Sequence, residues 1–161
     1  MGSHLAPHTE ASMHASSSPT GPIQFNTVDG ASDGLPLVGR PLDPSRRSAD
    51  DLRAFIESRT EVVHSALLTH GAVLFRDFDV TDAGAFEDVL RAFTPELGAD
   101  YLGTTPRSRI QGAVHTSTEL NGSYLIPQHC EMSFLDDAPR YVFFCSLDPA
   151  DEGGETPLCD F

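Results

Sequence analysis

Two side chains set one residue apart offer an imidazole and a carboxylate: His129 and Glu131, in the run PQHCEMSF (127–134). On a β-strand, residues i and i+2 face the same side. An HxE read as a strand therefore aims both groups into one space and turns Cys130 away. Those are two members of a 2-His-1-carboxylate set, which leaves positions open on Fe(II). The octapeptide admits other readings. The pair can be an imidazole and an acid hydrogen-bonded to their neighbours. Cys130 can be a nucleophile, although nothing singles out its base or orienting group. His129, Cys130, Cys145 and Cys159 can hold zinc, although their spacing matches no structural zinc pattern.

A second stretch with chemical potential is EGGETP (152–157). Gly153 and Gly154 can adopt backbone angles closed to other residues, so the chain can turn sharply or approach a ligand. Thr156 then presents a hydroxyl. The plain alternative is a hairpin turn. A phosphate loop is disfavoured because no lysine follows the glycines and no helix is signalled. His115, in GAVHTSTE, can face the same space as His129, with a surface or core histidine as the simpler reading. His64 and His70 fall on a helix or at its end, facing solvent or capping it. Cys145, inside VFFCSL, reads as a small core residue.

The elements that must position these groups follow from periodicity. LPLVGRPLDP (35–44) is a short apolar strand closed by prolines. Ser48 and Asp51 have the spacing of a capping box. Behind them Leu52, Phe55, Ile56, Val62, Val63, Ala66 and Leu67 recur at helical spacing, and Gly71 stops the helix. AVLFRDF (72–78) reads as a buried strand. A second helix starts near Thr81, buries Phe86, Leu90 and Phe93, and ends at Pro95. From Tyr101 the long polar run TTPRSRIQGAVHTSTELNGSY reads as loops and short strands. YLIPQHCEMSF and RYVFFCSL are β-rich runs separated by the turn LDDAP. With two helices first and a sheet later, the fold class is α+β rather than alternating βαβ.

Composition sets the outer bounds. A chain of 161 residues with 39% hydrophobic content can bury one domain's core. Residues 1–22, rich in Ser, His, Pro and Thr, read as a disordered leader; its first residues look vector-derived and Met13 like a native start. The leader lacks the basic and apolar regions of a signal peptide. No apolar run reaches the about eighteen residues of a membrane span. A formal net charge of −14 makes duplex nucleic acid and anionic membranes poor partners. Three cysteines without CxxC spacing argue against a disulfide framework and for a reducing cytoplasm.

Read in order, HGAVLFRDF, GAVHTSTE, IPQHCEMSF and PRYVFFCSLDPADEGGETPLCD resemble the taurine dioxygenase (TauD/TfdA-like) family of Fe(II)- and 2-oxoglutarate-dependent oxygenases. The resemblance is closest to its clavaminate synthase-like, syringomycin-type amino-acid hydroxylase branch, and runs from about Leu35 to Phe161. It implies a double-stranded β-helix, or jelly roll, with helices packed outside, residues 23–161 forming its N-terminal portion. It makes His129 and Glu131 iron ligands and Thr156 a 2-oxoglutarate contact. Thr116, Ser117, Thr118 and Glu119 match the segment lining the approach, as substrate or cosubstrate contacts. The implied activity is hydroxylation of an unactivated C–H in an amino acid or related small metabolite, with Fe(II), 2-oxoglutarate and O₂.

The family pattern continues with a distal histidine ligand and an arginine that pairs with the far carboxylate of 2-oxoglutarate. No His or Arg follows Thr156 in this sequence. The expectation is therefore one part of a longer polypeptide. The alternatives are a chain completed by a second copy, or a catalytically incomplete relative serving as an interaction module. His115 is a further candidate for the distal ligand.

Overall fold

A computed structural model describes residues 21–28, 34–98, 101–121 and 124–159. Most of the leader, residues 1–20 with Met13, lies outside the described residues, as does Phe161. The described chain is a mixed helix-and-sheet structure. Its elements run β1 (Ile23–Thr27), β2 (Leu37–Pro41), α1 (Ala49–Ser58), α2 (Thr60–His70), β3 (Val73–Phe75), α3 (Ala83–Phe93), β4 (Arg109–Gln111) and β5 (Val114–His115).

The main sheet has the order β1-β2-β3. β1 pairs antiparallel with β2, Ile23 opposite Pro41 and Thr27 opposite Leu37. β3 runs parallel to β2, Leu37 opposite Val73. Parallel neighbours need a crossover, which α1 and α2 supply. The expectation of helices followed by a sheet is thus corrected: β2, α1, α2 and β3 form one βαβ unit, and the larger sheet belongs to the N-terminal half. β1 follows directly on the leader, and only pairing with β2 marks it as a strand.

The helix expected from Ser48 to Gly71 is two helices. Ser48 caps the first as its sequence demands: its Oγ accepts from Asp51 N (3.0 Å) and the Asp51 carboxylate accepts from Ser48 N (3.3 Å). The break falls at Arg59, φ −134°. There Arg59 N donates to the Ile56 carbonyl (3.2 Å), and Thr60 Oγ1 donates to the same oxygen (2.9 Å). α2 ends at Gly71, whose φ of +69° only glycine adopts freely. Asp82 caps α3 by accepting from Ala85 N (2.9 Å).

Ile23, Leu52, Phe55, Ile56, Val63 and Val89 form the core, with Phe25, Phe75 and Phe78 packed against it. Phe25, Phe55 and Phe75 make a triangle of tilted and edge-on rings with centroids 6.1–6.4 Å apart. Gly39 stands opposite both Phe25 and Phe75 in the sheet register. A Cβ there would come within 3.0 and 3.1 Å of those rings, so the missing side chain is what admits them. On α3 the buried positions are Ala83, Glu87 and Val89, whereas Phe86, Leu90 and Phe93 are half-buried. The helix is turned because a carboxylate, not a ring, serves the neighbouring hairpin. Glu87 pairs with Arg91 (Nε to Oε1, 2.9 Å) and accepts from Ala113 N (3.4 Å) in the β4–β5 turn.

The β-rich runs 124–134 and 140–147 are not strands. Among the described residues they are irregular, with a turn over residues 131–134. Leu125 is 92% and Phe144 64% exposed. A strand is stable only with partners along both its hydrogen-bonding edge and its apolar face, and among the described residues no backbone pairs with these runs. What holds the second run is aromatic contact. Tyr141 and Phe143 pack on Phe93 of α3 (5.2 and 6.2 Å between centroids), and Tyr141 meets His64 of α2 (6.2 Å). His64 is thereby half-buried against a ring. His70 reaches back from the end of α2, its Nδ1 lying 3.2 Å from the Gly34 carbonyl.

Candidate metal centre

His129 and Glu131 meet without a strand. His129 lies in an irregular segment and Glu131 opens the turn. Met132 at φ +49° bends the chain there, and Ser133 N donates to the Cys130 carbonyl (3.3 Å). This compact bend, not a pleat, puts His129 Nε2 3.6 Å from Glu131 Oε2. His129 Nδ1 donates to the Pro127 carbonyl (2.9 Å). A carbonyl can only accept, so in the neutral ring the proton sits on Nδ1 and the lone pair on Nε2, toward Glu131. The imidazole is 57% exposed and the carboxylate 18%.

These two donor atoms fit a shared divalent ion. Bonds of about 2.0–2.1 Å to nitrogen and oxygen require the two ligands to lie within about 4 Å of each other. Neutral imidazole plus carboxylate is also the donor chemistry suited to Fe(II). Among the described residues no group of three or more His, Cys, Asp or Glu side chains comes together. The pair is a half-site. His115 is not brought into it among the described residues; its Nδ1 donates to the Ala113 carbonyl (3.1 Å) and its ring lies 6.2 Å from Tyr101. The zinc alternative finds no assembled ligand set among the described residues either. Cys130 and Cys159 are exposed free thiols, and Cys145 is free and half-buried. Burial pushes the Cys145 thiol pKa up.

Behind Glu131 stands a residue the sequence did not single out. Arg107 Nη2 contacts Glu131 Oε1 at 3.4 Å, and its guanidinium lies 4.5 Å over the Tyr101 ring. Both charged side chains are 18% exposed, and Arg107 Nε is buried without a partner. Tyr101 is itself fixed, its hydroxyl 2.7 Å from Thr105 Oγ1. Its ring covers Gly103, leaving no room there for a Cβ. Arg107 is 24 positions from Glu131, too far for any local spacing to announce the pair.

The segment 116–119 lies beside this arginine. Thr116 N donates to the Ser108 carbonyl (2.8 Å), Ser108 N to Thr116 Oγ1 (2.8 Å), and Glu119 N to the Pro106 carbonyl (3.0 Å). Thr116 Oγ1 also donates to Glu119 Oε1 (2.6 Å). That hydroxyl, with Ser108, holds the Glu119 carboxyl below its ordinary range. The segment thus clasps residues 106–108 from both sides of Arg107. Ser117 is exposed and Thr118 half-buried. Gly153 and Gly154 take φ of +72° and +78°, the freedom expected of them. Thr156 follows in an exposed, irregular segment. Among the described residues no hydrogen bond joins it to His129 or Glu131.

Comparison with known proteins supplies the family. Residues 38–161 match the family model "Taurine catabolism dioxygenase TauD, TfdA family". A clavaminate synthase-like protein of Arabidopsis thaliana is 39% identical over 108 residues, covering 64% of this chain and 31% of the relative. The dapdiamide synthesis protein DdaC of Enterobacter agglomerans is 30% identical over 98 residues, 61% of this chain and 30% of that protein. The chain therefore spans about a third of the length of the curated relatives it matches. With the family model covering most of its residues, the chain belongs to the TauD/TfdA family, and its relatives fall in the clavaminate synthase-like branch.

Proposed function

We propose that this chain supplies the His129–Glu131 half of the metal centre of an Fe(II)- and 2-oxoglutarate-dependent dioxygenase that hydroxylates an unactivated C–H of a small metabolite. One observation carries the reading: in a TauD/TfdA chain, His129 Nε2 and Glu131 Oε2 stand 3.6 Å apart with the imidazole lone pair between them. Iron with 2-oxoglutarate and O₂ would supply the oxidising chemistry. The chain's own residues would hold the metal and orient what binds beside it. His129 and Glu131 are the ligands, and Thr156 donates its hydroxyl to 2-oxoglutarate. Thr116, Ser117, Thr118 and Glu119 line the substrate approach. An amino acid, free or carrier-bound, is the substrate class; a relative named for dapdiamide synthesis supports a role in secondary metabolism.

The third ligand, the arginine for 2-oxoglutarate and the strands that close a jelly roll come from further polypeptide or a second copy. The exposed apolar side chains of 124–134 and 140–147 support this, because a closing sheet would cover them. Three free thiols support a reducing compartment, the cytoplasm. No helix among the described residues is long and apolar enough to cross a membrane.

The test is anaerobic addition of Fe(II) and 2-oxoglutarate to the native polypeptide carrying this chain. The expected result is a visible metal-to-ligand absorption band that His129→Ala and Glu131→Ala abolish. A band that survives His129→Ala refutes the assignment. Those same exposed apolar runs favour a second reading, an interaction module without chemistry. That reading requires no stoichiometric iron and self-association on size exclusion.

A further inference from the structure

We propose that Arg107 is a positioning residue for Glu131: it holds Oε1 so that Oε2 alone is offered to the metal beside His129. The proposal rests on reading His129 and Glu131 as metal ligands, and it adds a role that neither the family match nor the relatives assign.

Three observations carry it. First, the two oxygens of Glu131 are already divided between partners, Oε1 facing Arg107 Nη2 at 3.4 Å and Oε2 facing His129 Nε2 at 3.6 Å. A carboxylate with both oxygens free can close on a metal through both, taking up a second coordination position. One whose far oxygen is held by a guanidinium presents the other alone. Second, Arg107 cannot drift. Its guanidinium is stacked on Tyr101, the Tyr101 hydroxyl is tied to Thr105, and the flanking residues 106 and 108 are clasped by Glu119 and Thr116. Third, the arginine is mostly withdrawn from water yet keeps unused donor capacity, since Nε is buried without a partner. A charge kept inside with a free donor is poorly explained as packing. It fits a group that must meet a carboxylate with more than one N–H when that carboxylate is drawn tight by a metal. It therefore differs from an ordinary surface ion pair in both burial and restraint.

Co(II), titrated anaerobically into the native polypeptide carrying this chain and followed by its visible d–d bands, tests this without turnover. Outer-shell partners of metal ligands are worth about 10–100-fold in affinity. Arg107→Ala is expected to weaken Co(II) binding within that range, with near-UV circular dichroism unchanged. Arg107→Lys keeps the charge but offers a point donor, so it should fall between. The infrared separation of the Glu131 carboxylate stretches should show one-oxygen ligation in the unsubstituted chain and shift toward two-oxygen ligation in Arg107→Ala, a change that a purely structural arginine would not produce. If Arg107→Ala does not fold, Arg107→Lys carries the test alone, and affinity and stretches equal to the unsubstituted chain refute the proposal. Loss of Co(II) binding in His129→Ala with no change in Arg107→Ala refutes the arginine's role while leaving the ligand pair standing. No binding by the unsubstituted chain, or binding indifferent to His129→Ala, refutes the ligand pair and the arginine's role with it.

Discussion

Gly112 turns the chain from β4 to β5 at φ +51°, and the Glu87 carboxylate occupies the space a Cβ would need. Gly112→Ala therefore has two costs. Holding a non-glycine residue in the left-handed region costs about 1–2 kcal/mol. The new methyl must also displace a carboxylate that is 12% exposed and bonded to Arg91 and to Ala113 N. Losing such hydrogen bonds in a mostly buried site costs about 1–3 kcal/mol. The lower end applies, because Arg91 is 43% exposed and can follow the glutamate outward. The sum is about 2–3 kcal/mol, a fall in melting temperature of roughly 4–12 °C for a domain of this size. The sign is diagnostic, since at an ordinary φ a Gly→Ala change raises stability by about 0.4–1 kcal/mol. Amide exchange at Val114 and His115 should quicken as well, because the strain sits in one hairpin. In a Glu87→Ala background only the backbone cost remains, so a double-mutant cycle should return a coupling of about 1 kcal/mol. An unchanged or raised melting temperature, or zero coupling, would show that Glu87 does not seat this turn.

Phe55→Ala removes one corner of the Phe25–Phe55–Phe75 triangle and should cost about 3–5 kcal/mol in urea unfolding. Ser48→Ala removes the α1 cap and should cost about 1 kcal/mol by the same measurement. The Ser48 hydroxyl, then Arg46, hold the Asp51 carboxyl below its ordinary range. A depressed carboxylate contributes stability above its unfolded pKa and loses it as pH falls through the folded value. Far-ultraviolet dichroism should thus show acid loss of helix on the low-pH side of the ordinary aspartate range, and less of it in Asp51→Asn. Alkylation mapped by mass spectrometry should modify exposed Cys130 and Cys159 before Cys145, whose half-buried thiol resists ionisation; equal rates would contradict that partial burial.

Local chemistry was legible in the sequence wherever its cause was local. The Ser48 capping box needs only residues three apart, and Gly71, Gly153 and Gly154 needed only a backbone freedom that glycine alone has. The apolar stripe of α1 marked Leu52, Phe55 and Ile56 as core because helical spacing puts them on one face. The HxE named two donors, and the motifs around it named the family. Apolar character alone could not decide whether 124–134 and 140–147 are strands, since a strand is defined by the backbone beside it.

Tertiary structure decided the rest. It turned α3 so that Glu87, rather than Phe86, faces inward, because the hairpin turn offers an N–H that a carboxylate can satisfy. It placed β1 on β2, a pairing that no short window contains. At His129 and Glu131 it replaced the expected pleat with a bend, yet kept the two side chains together, and set Arg107 and Tyr101 behind them. Donor type and a two-residue spacing are written in the chain, so an imidazole and a carboxylate suited to a metal can be read without any fold. Which charge holds the far oxygen of Glu131 depends on residues 24 positions apart meeting across a folded loop, and only packing settles that.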